Sequence, residues 1–166
     1  MQPEEIASHL ASHFDGLVEA SSWGERSFFY NPDGELPRGV YFCTIKDHDG
    51  ANDKASNLNR EGVFRVSTGL PRELYEERFG SLPGRPGKGG VVETGDDFTA
   101  INTLMPHPVY AWMGWVQVLS PTREHFEELQ PLFQAAYHQT VGKYKKAASR
   151  RKKDRVVGDQ PGRMRT

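Results

Sequence analysis

The sequence predicts an α+β domain in two layers, with a mainly antiparallel sheet and helices packed on one of its faces. Strand-like segments follow one another in the middle of the chain, and helical periodicity appears at both ends. Strands do not alternate with helices, as they would around a parallel sheet. An antiparallel sheet covered by helices on one side is the simplest arrangement that buries both kinds of apolar surface.

The length and the charge distribution predict one domain followed by a tail. The chain has 166 residues, enough for one domain with a core, and its nine Phe and six Tyr supply large apolar side chains. Residues 1–142 carry 11 Lys and Arg against 20 Asp and Glu, whereas residues 143–166 carry 10 against 2. We therefore expect a single domain over residues 1–144 and a basic, disordered tail over residues 145–166.

The N-terminal part of the chain is predicted to be a helix followed by a hairpin. Ile6, Leu10 and Phe14 recur every four residues, which predicts a helix over about residues 3–14. In the segment RSFFYNPDGELPRGVYFCTIK, Asn-Pro-Asp-Gly favours a turn because Pro fixes φ and Gly allows the chain to leave it. Apolar segments on both sides of this turn predict two paired strands.

The C-terminal part adds two strands and two helical segments. VFRVSTGL has the β-branched content of a strand, and a short helix is expected from Pro71 to Gly80. WVQVLSP carries apolar residues on both alternating faces, which predicts an interior strand. A long helical stripe follows, and Pro131 is expected to kink it or divide it in two.

Cysteine usage and the N-terminus favour a soluble, cytoplasmic protein. Cys43 is the single cysteine, so no intrachain disulfide forms, and its place in a predicted strand is typical of a small buried side chain. The opening MQPEEIASHL lacks the basic and apolar regions of a signal peptide. No apolar run approaches the eighteen or so residues that a membrane span requires.

Two clusters resemble metal sites but lack the spacing of one. His9 and His13 lie one helical turn apart without the Glu that zinc proteases place between their ligands. Asp47, Asp49 and Asp53 do not match the residue pattern of a calcium loop. We expect no metal site, with a divalent cation on the three aspartates as the alternative.

The stretch MPHPVYAWMGWVQVLSP contains the strongest candidate for a binding site. Prolines on both sides of His107 restrict its backbone, so the imidazole is held in a stiff turn ahead of a strand. An apolar wall with one titratable group is common in ligand sites. The expected ligand-binding residues are His107, Tyr110, Trp112 and Trp115. The alternative is that His107 caps the turn and the rings belong to the core.

Two catalytic roles for His107 follow from its chemistry. Its ordinary pKa lies near neutrality, so it would suit a general base if Asp96 or Asp97 lies close enough to activate it. His107 and Asp97 are accordingly the catalytic candidates. A nucleophile pair of Cys43 with His107 is the weaker alternative, because nothing in the sequence brings the two together.

The basic C-terminal segment is a candidate for nucleic-acid binding. Lysine and arginine runs neutralise phosphates and release counterions. The candidate residues are Lys143, Lys145, Lys146, Arg150, Arg151, Lys152 and Lys153. The acidic body opposes such binding, and a solvated extension of the last helix is the competing interpretation.

Several of these segments resemble a known family. SNLNREGVFRVSTGL, DDFTAINTLMPHPVYAWMGWVQVLSP and LFQAAYHQTVGKY resemble an uncharacterised family of small, mainly actinobacterial proteins, known only as a domain of unknown function. The likeness covers about Pro3 to Tyr144. It implies one folding unit that ends near Tyr144, a variable loop at 80–90 and a dispensable tail, and it carries over no catalytic residue.

The architecture is more distantly similar to the MmcQ/YjbR-like group, whose two-layer α+β domains are often labelled DNA-binding. This likeness implies the fold and no activity. From the residues we expect a cytoplasmic module that binds a small molecule around the Pro-His-Pro turn. Nucleic-acid binding through the tail and an enzyme using His107 are the alternatives. No pattern identifies a cofactor, a substrate or an oligomeric state.

Overall fold

Six strands form one antiparallel sheet in the computed structural model, which describes residues 1–22 and 24–158. The strands are β1 (Leu17–Ser22), β2 (Glu25–Tyr30), β3 (Val40–Lys46), β4 (Arg65–Gly69), β5 (Met105–Pro106) and β6 (Trp115–Leu119). Their order across the sheet is β1-β2-β3-β4-β6-β5, and every neighbouring pair is antiparallel. The hairpin of β2 with β3 and the interior position of β6 are both confirmed.

Within residues 1–22 and 24–158, four α-helices and one short 3₁₀ turn complete the fold. They are α1 (Pro3–His13), α2 (Arg72–Phe79), the 3₁₀ turn (Ala111–Met113), α3 (Arg123–Glu128) and α4 (Gln130–Gly158). The division expected at Pro131 is confirmed, because α3 and α4 are separated at Leu129 and the proline lies in the first turn of α4. The α+β class is therefore confirmed, with helices packed on the sheet.

Helix α4 continues past the domain boundary predicted at Tyr144. Residues 145–158 are helical and mostly exposed, and residues 159–166 of the predicted tail lie outside the described residues. The division at Tyr144 stays a prediction. Among the described residues, no helix is both long and apolar enough to cross a membrane.

One face of the sheet packs against the helices and forms the core. Val66, Val116 and Val118 belong to the same core cluster as Leu129, which lies between α3 and α4, and Phe133 in the first turns of α4. These side chains are buried, as the alternation along β4 and β6 predicts. Their burial contributes to the hydrophobic stabilisation of the domain.

A β-bulge in β3 adds one aromatic ring to this core. Phe28 pairs with Cys43 and Phe29 pairs with Tyr41, so Phe42 has no partner of its own in β2. The bulge turns Phe42 toward the helices, where its ring lies 4.9 Å from that of Phe14. It also reverses the alternation of β3, so that Tyr41 shares the opposite face with Phe29.

Gly114 ends the 3₁₀ turn in a conformation that favours glycine. Its φ is +86°, and a Cβ at this position would lie 2.9 Å from the carbonyl oxygen of Leu70. We expect Gly114→Ala to lower the free energy of unfolding by about 2 kcal/mol, because it adds left-handed strain to a backbone clash. Gly142 is the matched control, since it lies inside α4 with open space around it. Gly142→Ala should raise the free energy of unfolding by about 0.5–1 kcal/mol in urea titrations; equal effects of the two changes would contradict this interpretation.

Candidate functional site

The sheet face opposite the helices is polar, and it carries charged side chains at one end. Glu25 pairs with Lys46, and Lys46 pairs with Arg65, so the three side chains share this face. We call them the charged row, and the face the polar face. Lys46 and Arg65 are both buried, although each is a cation. Two adjacent buried cations require a counter-charge.

Asp53 supplies this counter-charge from the loop between β3 and β4. Its Oδ1 accepts a hydrogen bond from Arg65 Nη1 at 3.0 Å, and its Oδ2 accepts from Arg65 Nη2. Lys46 Nζ lies 3.5 Å from Asp53 Oδ2 and 3.9 Å from Glu25 Oε2. The four groups form a neutral ion cluster in which the two cations are buried, and Asp53, whose side chain is 13% exposed, joins both of them.

Electrostatics keeps the Asp53 carboxyl ionised despite its position. Burial by itself raises the pKa of this group. The hydrogen bonds and the charge of Arg65 outweigh that effect, with help from Lys46, and lower the pKa of Asp53 to about 2. The carboxylate is therefore charged at every physiological pH.

A second row of polar residues crosses the sheet beside the charged row. Strand register aligns four buried side chains, three with a hydroxyl group and one with an amide: Ser27, Thr44, Ser67 and Gln117. Gln117 Oε1 accepts a hydrogen bond from Ser56 at 3.0 Å, which anchors the β3–β4 loop over this face. Within the described part of the chain, Ser67 Oγ and Arg65 Nε are buried without a hydrogen-bond partner.

Aromatic side chains form the third row. The rings of Phe29 and Tyr41 lie 4.3 Å apart, and Tyr41 meets Trp115 edge-on at 6.5 Å. The indole of Trp115 lies over Gly69, where a Cβ would be 2.9 Å from its Nε1. Gly69 therefore gives the ring the space to lie flat against the sheet.

The chain segment that covers the charged row contains His107. Its backbone N–H donates to Trp115 O at 3.0 Å, and the ring is only 2% exposed. Its Nδ1 accepts from the backbone N–H groups of Val109 at 3.0 Å and Tyr110 at 3.1 Å. Nδ1 is therefore unprotonated, and in the neutral ring the proton is on Nε2. His107 acts as the cap of its own turn.

Burial and neighbouring cations keep His107 neutral. Desolvation lowers the pKa of the imidazole well below its ordinary value, and the charge of Arg65 adds to this effect. Since both backbone donors use the lone pair on Nδ1, no acceptor position is left for a substrate proton. This geometry gives no support to His107 as a general base.

Tyr110 lies beside the imidazole and reaches the surface. The two ring centres are 5.0 Å apart, and 44% of Tyr110 is exposed. Burial of the remainder raises the pKa of its hydroxyl, and the negative charges of Asp53 and Glu25 raise it further. The hydroxyl of Tyr110 therefore lies close enough to the charged row for its charges to act on it, and part of the side chain is exposed to solvent.

A cavity of about 260 Å³ lies where the β3–β4 loop meets the segment after His107. One wall is formed by residues 51–55, including Asp53, and the other by Gly89, Val91 and Val109. Asp53 thus belongs both to the ion cluster and to the cavity wall. The hydrogen bond to His107 Nδ1 holds the backbone at Val109 in place.

The four predicted ligand-binding residues occupy different surroundings. His107 and Tyr110 are in contact, and Trp115 lies beside Tyr41 on the polar face. Trp112 lies under the guanidinium of Arg85, whose central carbon is 4.8 Å from the ring centre. Their common role as ligand contacts stays a prediction.

The residues that sequence reasoning missed are the cations of the charged row. Lys46 and Arg65 lie in predicted strands beside Ile45 and Val66, whose side chains point to the core. Strand alternation alone places both cations on the opposite face. That signal was present, but it does not identify Asp53 as the partner.

Neither proposed partner of His107 is brought to it. Asp97 accepts hydrogen bonds from the backbone and the hydroxyl of Thr99, and neither Asp96 nor Asp97 is among the charged groups that act on His107. Cys43 is fully buried on the helix-covered face, and burial raises the pKa of its thiol. The sheet therefore lies between this thiol and His107.

The aspartates of the β3–β4 loop do not converge. Asp47 contacts His48, Asp49 accepts from the backbone N–H of Leu58, and Asp53 binds Arg65.

The two histidines of α1, His9 and His13, stack with their ring centres 3.9 Å apart, and His9 also forms a hydrogen bond with Gln130. Residues 1–22 and 24–158 contain no group of three or more His, Cys, Asp or Glu side chains that could hold a metal ion.

No curated protein and no solved structure matches this chain. The likeness to the MmcQ/YjbR-like group therefore stays a prediction. A family model described as a family of unknown function, DUF6194, matches residues 1–151. The resemblance to an uncharacterised family is confirmed, while its actinobacterial occurrence and its motif stay predictions. The chain belongs to DUF6194.

Proposed function

We propose that this protein binds a small molecule in the cavity beside the Pro-His-Pro turn. One observation carries the proposal: Asp53, the carboxylate that forms ion pairs with two buried cations, also lines a cavity open to ligands. His107 and Tyr110 have a positioning role, since they fix the backbone that presents Val109 to the cavity. The proposal also includes contacts of the ligand with Trp112 and Trp115.

The energetics of the ion cluster support a functional role. Removing charges from water costs several kcal/mol per ion, and a buried ion pair is often no more stabilising than apolar side chains of the same size. We therefore expect apolar side chains such as Met or Leu in place of Lys46, Arg65 and Asp53 to give the domain a similar free energy of unfolding. Charged groups kept at such cost beside a cavity are typical of binding sites.

The cavity suits a small ligand with a hydrogen-bond donor and an apolar part. A carboxylate offers about four acceptor positions, and Arg65 and Lys46 occupy three of those on Asp53. We expect a ligand N–H or O–H to use the fourth, on Oδ1. Val91 and Val109 form apolar walls, and the volume of about 260 Å³ lies just below the usual range for ligand sites, which favours a ligand of few atoms.

A filled cavity tests this proposal. Val91 lines the cavity and is 42% exposed, so Val91→Trp should occupy the space without disturbing the core. Val18, 49% exposed on β1, provides the matched control as Val18→Trp. In a thermal-shift screen of amino acids, amines, sugars and nucleosides, we expect at least one compound that stabilises the parent protein and Val18→Trp but not Val91→Trp. A compound that stabilises all three equally would place binding elsewhere.

Nucleic-acid binding through α4 is the second candidate function. It is favoured by the exposed cations that α4 carries from Lys143 to Arg155, where one acidic residue, Asp154, interrupts them. Affinity for a labelled nucleic acid that falls steeply with salt would support it. For either function we propose the cytoplasm, where a single free thiol stays reduced.

A further inference from the structure

We infer that the C-terminal half of α4 binds the phosphate backbone of double-stranded nucleic acid, without a sequence preference. This inference rests on the second candidate function and specifies its partner. It starts from the way α4 lies against the rest of the chain, because that placement decides which cations a partner can reach.

One side of this part of α4 faces the hairpin loop between β2 and β3. Tyr144, Ala148, Arg151 and Arg155 follow one another at spacings of three and four, so they share a side of the helix. Tyr144 is buried, and its hydroxyl donates a hydrogen bond to Asp33. Arg155 lies 3.9 Å from Glu35. This side of α4 is therefore bound to the acidic hairpin loop between β2 and β3.

The other side of the helix carries a basic face. At about 100° per residue, its members fall within roughly half of the helix circumference. They are Lys143, Lys145, Lys146, Arg150, Lys152 and Lys153, and all six are exposed. Among residues 1–22 and 24–158, none of the six makes an ion pair. The hydrogen bond from Tyr144 and, to a smaller extent, the nearby charge of Lys152 lower the pKa of the Asp33 carboxyl, but all six ammonium and guanidinium groups remain exposed to an external polyanion.

The geometry of the basic face fits a duplex. From Lys143 to Lys153 the helix rises about 15 Å, a length over which duplex DNA presents about nine phosphate charges. The body of the protein is acidic, with 20 Asp and Glu against 11 Lys and Arg in residues 1–142. A rigid polyanion can touch the basic face while the body stays away from it, since α4 lies between the face and the acidic hairpin loop.

Single strands and membranes fit this surface less well. Proteins that bind single strands stack bases on exposed aromatic rings. Residues 143–158 contain one aromatic residue, Tyr144, which is buried. A helix that binds a lipid surface presents large apolar residues opposite its cations. Here the opposite side carries Tyr144, two small alanines, Arg151 and Arg155, and of these Tyr144 and Arg155 interact with the hairpin loop. The exposed Val156 and Val157 lie on the same side as the cations, not opposite them.

The test compares a duplex and a single strand of the same length by fluorescence anisotropy, using the full-length protein at several salt concentrations. We expect tighter binding to the duplex, with an affinity that falls about a hundredfold between about 50 and 200 mM salt. Changing Lys145, Lys146, Lys152 and Lys153 to Gln should weaken duplex binding at least about tenfold and make the salt dependence shallower. Glutamine keeps the helix propensity, which circular dichroism can verify.

Four exposed cations of the body provide a control with the same change in charge. Changing Arg38, Arg72, Arg78 and Lys88 to Gln should leave duplex binding within about twofold. Equal affinity for single and double strands would overturn the duplex inference while leaving the second candidate function standing. No binding to either nucleic acid at low salt would overturn both, as would binding to phosphatidylserine vesicles alone.

Discussion

Asp53→Asn is expected to lower the free energy of unfolding by about 3–5 kcal/mol at neutral pH. The substitution keeps the size of the side chain and removes its charge. Lys46 and Arg65 then remain buried side by side, and among the described residues the one carboxylate still paired with them is Glu25, 3.9 Å from Lys46. Urea denaturation followed by circular dichroism measures the loss.

The exposed Asp47 offers a control for this substitution. Its side chain is 72% exposed, so Asp47→Asn should change the free energy of unfolding by less than about 0.5 kcal/mol. A loss of less than about 1 kcal/mol in Asp53→Asn would show that Asp53 does not compensate buried cations.

The same cluster predicts a dependence on pH. The pKa of Asp53 is about 2 in the folded protein, below its ordinary value near 4, so the folded state binds this proton less tightly than the unfolded state. The stabilisation is therefore complete above about pH 4 and is lost as the pH falls toward 2. The difference between the parent protein and Asp53→Asn should shrink over that interval.

His107→Ala is expected to cost about 3 kcal/mol, the second largest effect. It removes the acceptor of two backbone N–H groups, those of Val109 and Tyr110, and leaves space beside a buried turn. His107→Asn should cost about 1 kcal/mol, because its Oδ1 can take the position of Nδ1 and accept the same donors. Equal losses in the two variants would show that the cap contributes nothing.

The stability of His107→Asn should depend on pH differently from that of the parent protein. Since the folded protein lowers the pKa of His107, the unfolded state binds a proton near pH 6.5 that the folded state does not. The parent protein therefore loses stability as the pH falls below about 6.5. His107→Asn lacks this contribution, so its urea midpoint should fall less between about pH 6.5 and 5. Parallel curves would contradict the neutral, buried state of His107.

The regular parts of the fold were predictable because their signals are local. The alternation in WVQVL predicted an interior strand, and the proline at 131 predicted the break between α3 and α4. The bulge at Phe42 was not predictable, because it depends on the register of two strands. Without it, the alternation of β3 assigns Tyr41 to the wrong face.

The candidate site was only partly predictable for the same reason. The Pro-His-Pro turn is a local feature, and the contact of His107 with Tyr110 follows from it. The ion cluster joins a loop aspartate to two strands through side chains, and no short-range pattern encodes that contact. Trp112 and Trp115 look like neighbours in sequence, but the turn at Gly114 separates them. Nothing local predicts this separation.

The most direct test of small-molecule binding is native mass spectrometry of the full-length protein, purified gently from its own host and compared with its denatured mass. Binding in the cavity beside Asp53 predicts an added mass of a small organic molecule on the parent protein and on Val18→Trp, and its absence from Val91→Trp. An unchanged mass in the parent protein, or an adduct of equal occupancy in Val91→Trp, would contradict the proposed site.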